Sequence, residues 1–299
     1  MSIFGKRKNF VIADLYALLA VIIWGSDFLF AKIALREISP LSFAAMRTAI
    51  SASILVPLFL KLEKDWSVSA KHFFWLIGIA FLGTVMNRVC LSIGLRLSTA
   101  SKAAVLIASS PIFGLIASYF LFRTEVTLRA TLGIFMSFLG VYLVVQKDWG
   151  GWEFSSETFQ GDLILIGGAI SWALFTVLIP RLSKQHSTLK VTAYMMLIGT
   201  ILMSPFLPPK QGGGWFEISG LAWFSVLYVG IMGNCVAFFL WVRGVQYIGP
   251  LRTILYQYLM PVTAILLAIP FLNESLTLVQ ACGSITVFVG IFIARFERK

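Results

Sequence analysis

Residues 127–140 read TLRATLGIFMSFLG, and residues 277–290 read TLVQACGSITVFVG. Shifted by 150 positions, the two stretches match at Thr127 and Thr277, Leu128 and Leu278, Gly133 and Gly283, Phe138 and Phe288, and Gly140 and Gly290. The same shift lays Gly83 on Gly233, Gly94 on Gly244 and Pro111 on Pro261. Earlier in each half the shift is 148, which lays Asp14-Leu15 on Asp162-Leu163 and Trp24 on Trp172. In a Leu-rich chain, coincident glycines and prolines are harder for chance to supply than coincident leucines. The sequence is read as an internal repeat.

Composition says where the two copies lie. Of 299 residues, 59% are hydrophobic and 12% charged, and mean hydropathy is +0.89. Soluble domains carry about 25% charged residues, so this is an all-α integral membrane protein, and soluble enzymes and disordered chains are excluded. The net charge of +11 does not indicate nucleic-acid binding, because the cations are scattered singly between apolar runs rather than gathered in a patch. A spanning helix takes roughly 17–25 apolar residues. Breaking the chain at charged clusters and Pro/Gly punctuation gives ten transmembrane helices, near 11–35, 40–61, 73–96, 99–122, 129–146, 160–182, 189–208, 217–243, 248–271 and 277–295. The repeats are then 11–146 and 160–295. Five helices is an odd number, so the second copy enters the membrane upside down. Two inverted five-helix repeats are a common plan of secondary transporters, with the substrate site at the repeat interface.

Lys and Arg accumulate in cytoplasmic loops. With the N-terminus inside, sixteen cations fall in cytoplasmic segments, five outside and three within spans. This distribution predicts an inner-membrane, multi-pass protein with both termini cytoplasmic. Cys90, Cys235 and Cys282 each sit in an apolar run with no CxxC spacing, which points to packing rather than a disulfide framework.

Trp24-Gly25-Ser26, Ser39-Pro40-Leu41 and Arg47 resemble the opening of EamA-type proteins of the drug/metabolite transporter superfamily. Residues 97–102 (LSTASK), with Pro111, Glu125, Thr127, Gly133 and Gly140, resemble the end of one EamA unit. Ile248 to Arg252, Pro261, Asn273 to Thr277 and Gly283 to Gly290 repeat it. The second half departs from the pattern at Trp172-Ala173-Leu174 and at Met195, which replaces the equivalent of Arg47. The resemblance implies ten helices around a central cavity and export or exchange of small metabolites. It names no single cargo.

An ionisable residue near the bilayer centre costs about 2.5–3.5 kcal/mol on insertion scales. Asp27 falls roughly 4–5 Å outward of its span's middle, and Arg47 and Arg88 roughly 6 Å outward, so the three converge on one level. One reading is a buried ion-pair network, Asp27 with Arg47 or Arg88, that fastens helices 1 to 3. The other is a substrate site, because one Asp cannot neutralise two Arg and the surplus charge attracts an anionic group. Asp27 is also a candidate for proton coupling.

Polar and aromatic residues at helical spacing extend the candidate binding set. Asn234, Phe238 and Trp241 share a face of helix 8, and Asn87 adjoins Arg88. Trp24 pairs with Asp27, Trp172 with Phe175, and helix 9 adds Thr253, Tyr256 and Met260, with Gln257 and Tyr258 flanking. Buried amides and phenols must face protein or cavity. Pro111 and Pro261, within helices 4 and 9, are candidate gating kinks. The two histidines, His72 and His186, give no metal site or triad, and no phosphate-binding loop is present. No cofactor, metal or nucleic acid is expected. The expected partners are the bilayer and a small-molecule substrate, with protons a candidate coupling ion, in a monomer or homodimer. The leading expectation is a secondary transporter of an amino acid or related solute. The alternatives are an exporter of lipophilic cationic drugs and, from another class, a membrane-embedded enzyme or sensor.

Overall fold

A computed structural model describes residues 3–98, 100–146, 158–207, 218–263, 266 and 277–295. Among these, eight helices are long and apolar enough to cross a bilayer, and Leu278–Ala294 is a shorter apolar helix. In chain order they are α1 (Ile3–Ala34), α2 (Pro40–Leu62), α3 (Ala70–Leu97), α4 (Ala100–Ile107 and Ser110–Phe122), α5 (Leu128–Gln146), α6 (Phe159–Leu178, continued by Pro180–Ser183), α7 (Thr188–Met203) and α8 (Gly220–Ile248). α9 opens at Pro250–Leu255, passes a 3-10 turn at Tyr256–Tyr258 and resumes through residues 259–263, and α10 is Leu278–Arg295. The expected end of α9 and the connections at 147–157 and 272–275 lie outside the described residues. α1 starts before the expected residue 11, because the Lys6–Lys8 patch continues the helix. α8 runs to Ile248 rather than 243, and Gly249, with φ of 82°, turns the chain into α9.

Four helix starts are fixed by the same device. Ser39, Ser69, Ser187 and Ser219 each accept a hydrogen bond from the backbone amide three residues on, satisfying one of the orphan donors of a first turn. Ser39 and Ser187 are 148 apart and Ser69 and Ser219 are 150 apart, so the caps themselves obey the repeat.

α5 and α10 show how the copies are related. A Cβ at Gly133 would lie 2.5 Å from the Gly290 carbonyl oxygen, and one at Gly140 would lie 2.8 Å from the Gly283 carbonyl oxygen. Numbers rise along one helix as they fall along the other, so the two run antiparallel. Ser137 donates to the Val287 carbonyl at 3.4 Å; these two residues are themselves 150 apart. The crossing point is therefore the symmetry point, and the repeats are inverted. Small residues are what let backbones approach this closely between membrane helices.

Regular helix breaks at repeat-equivalent places. α3 contains a π-helical segment at Phe81–Met86, and α8 contains one at Val229–Ala237. α4 is interrupted just before Pro111 and α9 loosens just before Pro261. Pro111 thus opens a second helical segment instead of kinking a continuous one, which corrects the sequence expectation. Proline cannot donate to the carbonyl four residues back, and the hydroxyls of Ser109 and Ser110 take up the Leu106 and Ile107 carbonyls at 2.5 and 2.7 Å. Large apolar residues such as Phe120, Leu128 and Leu278 point outward, as a lipid-facing surface requires. Cys282 is exposed on α10, contrary to the reading of all three cysteines as packed, whereas Cys235 is buried.

Candidate functional site

The three intramembrane charges meet. Arg47 Nη2 donates to Asp27 Oδ2 at 3.3 Å, with both side chains buried. Arg88 is also buried, yet its Nη2 has no hydrogen-bond partner. Its guanidinium carbon instead lies 5.5 Å from the Trp172 ring and 5.9 Å from the Phe238 ring, within cation–π reach. The structure thus selects Asp27–Arg47 as the hydrogen-bonded pair. Gly233, in the π-helical segment of α8, makes room for it, since a Cβ there would overlap the Asp27 carboxylate. Trp24 Nε1 donates to the Gly233 carbonyl at 2.9 Å and ties α1 to the same point.

Above this pair lies a cavity of about 60 Å³. Six of the twelve nominated binding residues line it: Trp24, Asp27, Arg47, Asn87, Arg88 and Trp172. It extends past Leu35 and Leu95, toward the helix ends remote from the basic loops. On the other side it is stopped by an aromatic cluster. Trp24 stands 5.2 Å from both Trp172 and Trp241, and Phe175 stands 5.2 Å from Phe238. Phe175, Phe238 and Trp241 are fully buried and form a floor rather than a lining.

Three nominated residues lie elsewhere. Tyr256 donates to Asp14 Oδ1 at 2.9 Å, near the basic end. Tyr258 is buried in the core, and Asn234 is buried with neither amide atom hydrogen-bonded. For Tyr256 the cause is local: residues 256–258 form a 3-10 turn, whose three residues per turn shift a face drawn at 3.6. Gln257, noted in the sequence only as a flanking residue, lines the cavity instead. Ser92 was missed, although its place one turn beyond Arg88 puts it on the same face.

The repeat gives each charged residue a counterpart. Gly83 faces the Phe175 ring as Gly233 faces the Asp27 carboxylate, so Phe175 occupies in the second half the place of Asp27 in the first. By the same offsets Met195 answers Arg47, Phe238 answers Arg88 and Ala237 answers Asn87. The halves share a scaffold but not a chemistry. One end of the central space is charged, the other apolar.

At the basic end, contacts tie the α2–α3 loop to the α6–α7 region. Lys190 Nζ binds Asp65 at 3.1 Å and the Ser67 carbonyl at 2.6 Å, and Ser187 donates to Glu63. Tyr194 donates to the Trp66 carbonyl at 2.8 Å, and His186 Nε2 meets His72 Nδ1 at 3.0 Å. Arg181 stacks over Trp75. At the remote end, among the described residues, Glu37 receives the Ser219 hydroxyl and amide, and these bonds hold its carboxylate below the usual range. The Ser67 hydroxyl and then Lys190 hold Asp65 down to about 2. Burial, with the neighbouring Lys190 and His72 charges, holds His186 below 6.5.

A His whose pKa is depressed in the closed form favours closure when neutral. This contribution is then fully present above pH 6.5 and is lost as pH falls below it. Nitroxide labels on the exposed Lys64 and Lys184 positions are expected to move apart between pH 7.5 and 5.5, and to stop responding in His72→Gln/His186→Gln. A pH-independent distance distribution in the parent protein would show that the histidines do not bear on closure.

The chain matches the EamA-like transporter family over residues 11–146 and again over 159–296. It is 28% identical over 276 residues to an uncharacterized transporter of Archaeoglobus fulgidus, covering 92% of this chain and 94% of that one. It is 25% identical over 296 residues to the uncharacterized transporter YetK of Bacillus subtilis, covering 98% and 89%. A crystal structure of a protein 20% identical in sequence superposes with a TM-score of 0.78 over 96% of this chain and 99% of that one, which shows the same fold.

Proposed function

The chain belongs to the EamA-like transporter family, and from that premise we propose that it is a secondary transporter which exports or exchanges a small organic metabolite by alternating access. That it is a multi-pass membrane transporter follows from the family and its relatives. The cargo, an amino acid or related solute bearing a carboxylate, is our reading. The observation that carries it is a cavity walled by both repeats, with the partnerless Nη2 of Arg88 at its base and an aromatic floor below. Pockets of this kind orient an organic solute with few polar groups and many apolar ones.

In this reading the basic end faces the cytoplasm of an inner membrane, and the aromatic floor with the loop contacts below it forms the cytoplasmic gate. The units 11–146 and 160–295 exchange conformations, which opens the floor and closes the remote end. The breaks before Pro111 and Pro261 are where α4 and α9 bend.

Counterflow in proteoliposomes loaded with amino acids, organic acids, nucleosides and quaternary amines tests this. Saturable, trans-stimulated uptake of one class is the expected result, and a pH gradient imposed in the same assay reads proton coupling. Preferential exchange of quaternary amines would point to a cation exporter instead. Chemical conversion of a solute without transport would overturn the transporter reading.

A further inference from the structure

We propose that the cavity takes a small carboxylate monoanion with a planar or branched apolar body, its carboxylate on Arg88 and a neutral hydroxyl, not an ammonium, beside it. The proposal rests on the transporter reading and, among carboxylate-bearing solutes, takes a hydroxy acid in place of an amino acid.

Charge balance is the first argument. Among the described residues lining the cavity, Asp27, Arg47 and Arg88 are the ionisable ones, and Asp27 is bonded to Arg47. One positive charge is left over, on Arg88. A bound monoanion neutralises the site, whereas a zwitterion leaves the surplus in a region where uncompensated charge is costly.

Donor geometry is the second argument. Arg88 Nη2 and Trp172 Nε1 are both buried, both without a hydrogen-bond partner, and both on the cavity wall. Neither group can accept a hydrogen bond, so a ligand that satisfies both must bring acceptors. The Trp172 and Phe238 rings lie 5.5 and 5.9 Å from the Arg88 guanidinium carbon, and Nη2 is the donor left for a charge-assisted hydrogen bond to a carboxylate. Also without partners on cavity-lining residues are the acceptors Asp27 Oδ1 and Gln257 Oε1 and the donor Arg47 Nε. A hydroxyl on the substrate donates to one of these acceptors and can accept from a donor without altering the charge.

The repeat supplies the third argument. Phe175 and Phe238, the counterparts of Asp27 and Arg88, together with Trp172 and Trp241, make the floor against which Arg88 sits aromatic. The carboxylate therefore lies at the base on Arg88, and the apolar body extends past Leu91 and Leu95 toward the remote end.

Four probes with one carbon skeleton separate the possibilities in proteoliposomes of the full-length protein: 3-phenyllactate, phenylalanine, phenylalaninamide and 3-phenylpropanamide. Trans-stimulated exchange of phenyllactate at least tenfold above the other three is expected. Arg88→Gln is expected to weaken its apparent affinity roughly 30-fold or more, the loss typical of removing one partner of a buried charge pair, and Arg88→Lys to recover part of it. Should Arg88→Gln not fold, the parent protein in detergent still decides: phenyllactate raises its unfolding temperature and the uncharged amide does not. Preferred exchange of phenylalanine or of either amide would overturn the anion assignment and leave the transporter reading standing. Inertness of all four would overturn the assignment too, while transport of a nucleoside or amine in the wider panel would still uphold the transporter.

Discussion

Asp27→Ala is expected to destabilise the protein by about 3–5 kcal/mol, and adding Arg47→Met is expected to restore most of that. The two side chains are buried and bonded at 3.3 Å. Removing the carboxylate leaves two guanidiniums, Arg47 and Arg88, facing each other across a site with no counter-charge. Removing Arg47 as well takes away the charge that was stranded. Methionine is the residue the second half carries at the equivalent place, where Met195 is fully buried, so the scaffold accepts it. Thermal unfolding in detergent, followed by tryptophan fluorescence, gives the double-mutant cycle. A single mutant as stable as the parent would show that the pair contributes little to the fold, and additive losses would show that the two residues act independently.

Gly290→Val is expected to be as severe, through contact rather than charge. A Cβ at 290 would lie 2.6 Å from the Ser137 amide nitrogen and 2.7 Å from the Gly133 carbonyl oxygen, both backbone atoms. No rotamer change relieves a clash with backbone, so α5 and α10 must separate. Overpacking commonly costs about 1–3 kcal/mol, and the larger side chain at a helix crossing lies at the upper end. Gly78→Val is the control, because open space surrounds that position. Monodisperse protein on gel filtration is expected for the Gly78 variant and aggregation or loss of yield for the Gly290 variant. Equal behaviour would mean that the α5–α10 crossing is dispensable.

Both predictions mark how far the chain could be read without its structure. Gly133, Gly140, Gly283 and Gly290 stood out as a repeated pattern, but which glycine faces which is set by the antiparallel crossing, and an offset alone does not contain it. The level shared by Asp27, Arg47 and Arg88 followed from helical rise. The choice of Arg47 over Arg88 as the bonding partner depends on how α2 and α3 are rotated, and the π-helical segments at 81–86 and 229–237 change that rotation with no compositional signature beyond Gly83 and Gly233. The meeting of His72 with His186 was equally invisible, since residues 114 positions apart share no local pattern.

Taken alone, the sequence determined the membrane class, the inverted repeat, the common level of Asp27, Arg47 and Arg88 along their helices and a vote on orientation. Each of these is a sum over local properties: hydropathy along a span, rise per residue, and loop charge. Only the tertiary structure decided which charges pair, that Arg88 is left with an unsatisfied donor, that Tyr256 turns to Asp14 while Gln257 enters the cavity, and that contacts tie the α2–α3 loop to the α6–α7 region at the basic end. Those outcomes depend on helix rotation and close approach between segments far apart in the chain, where a single Cβ or one 3-10 turn redirects a side chain.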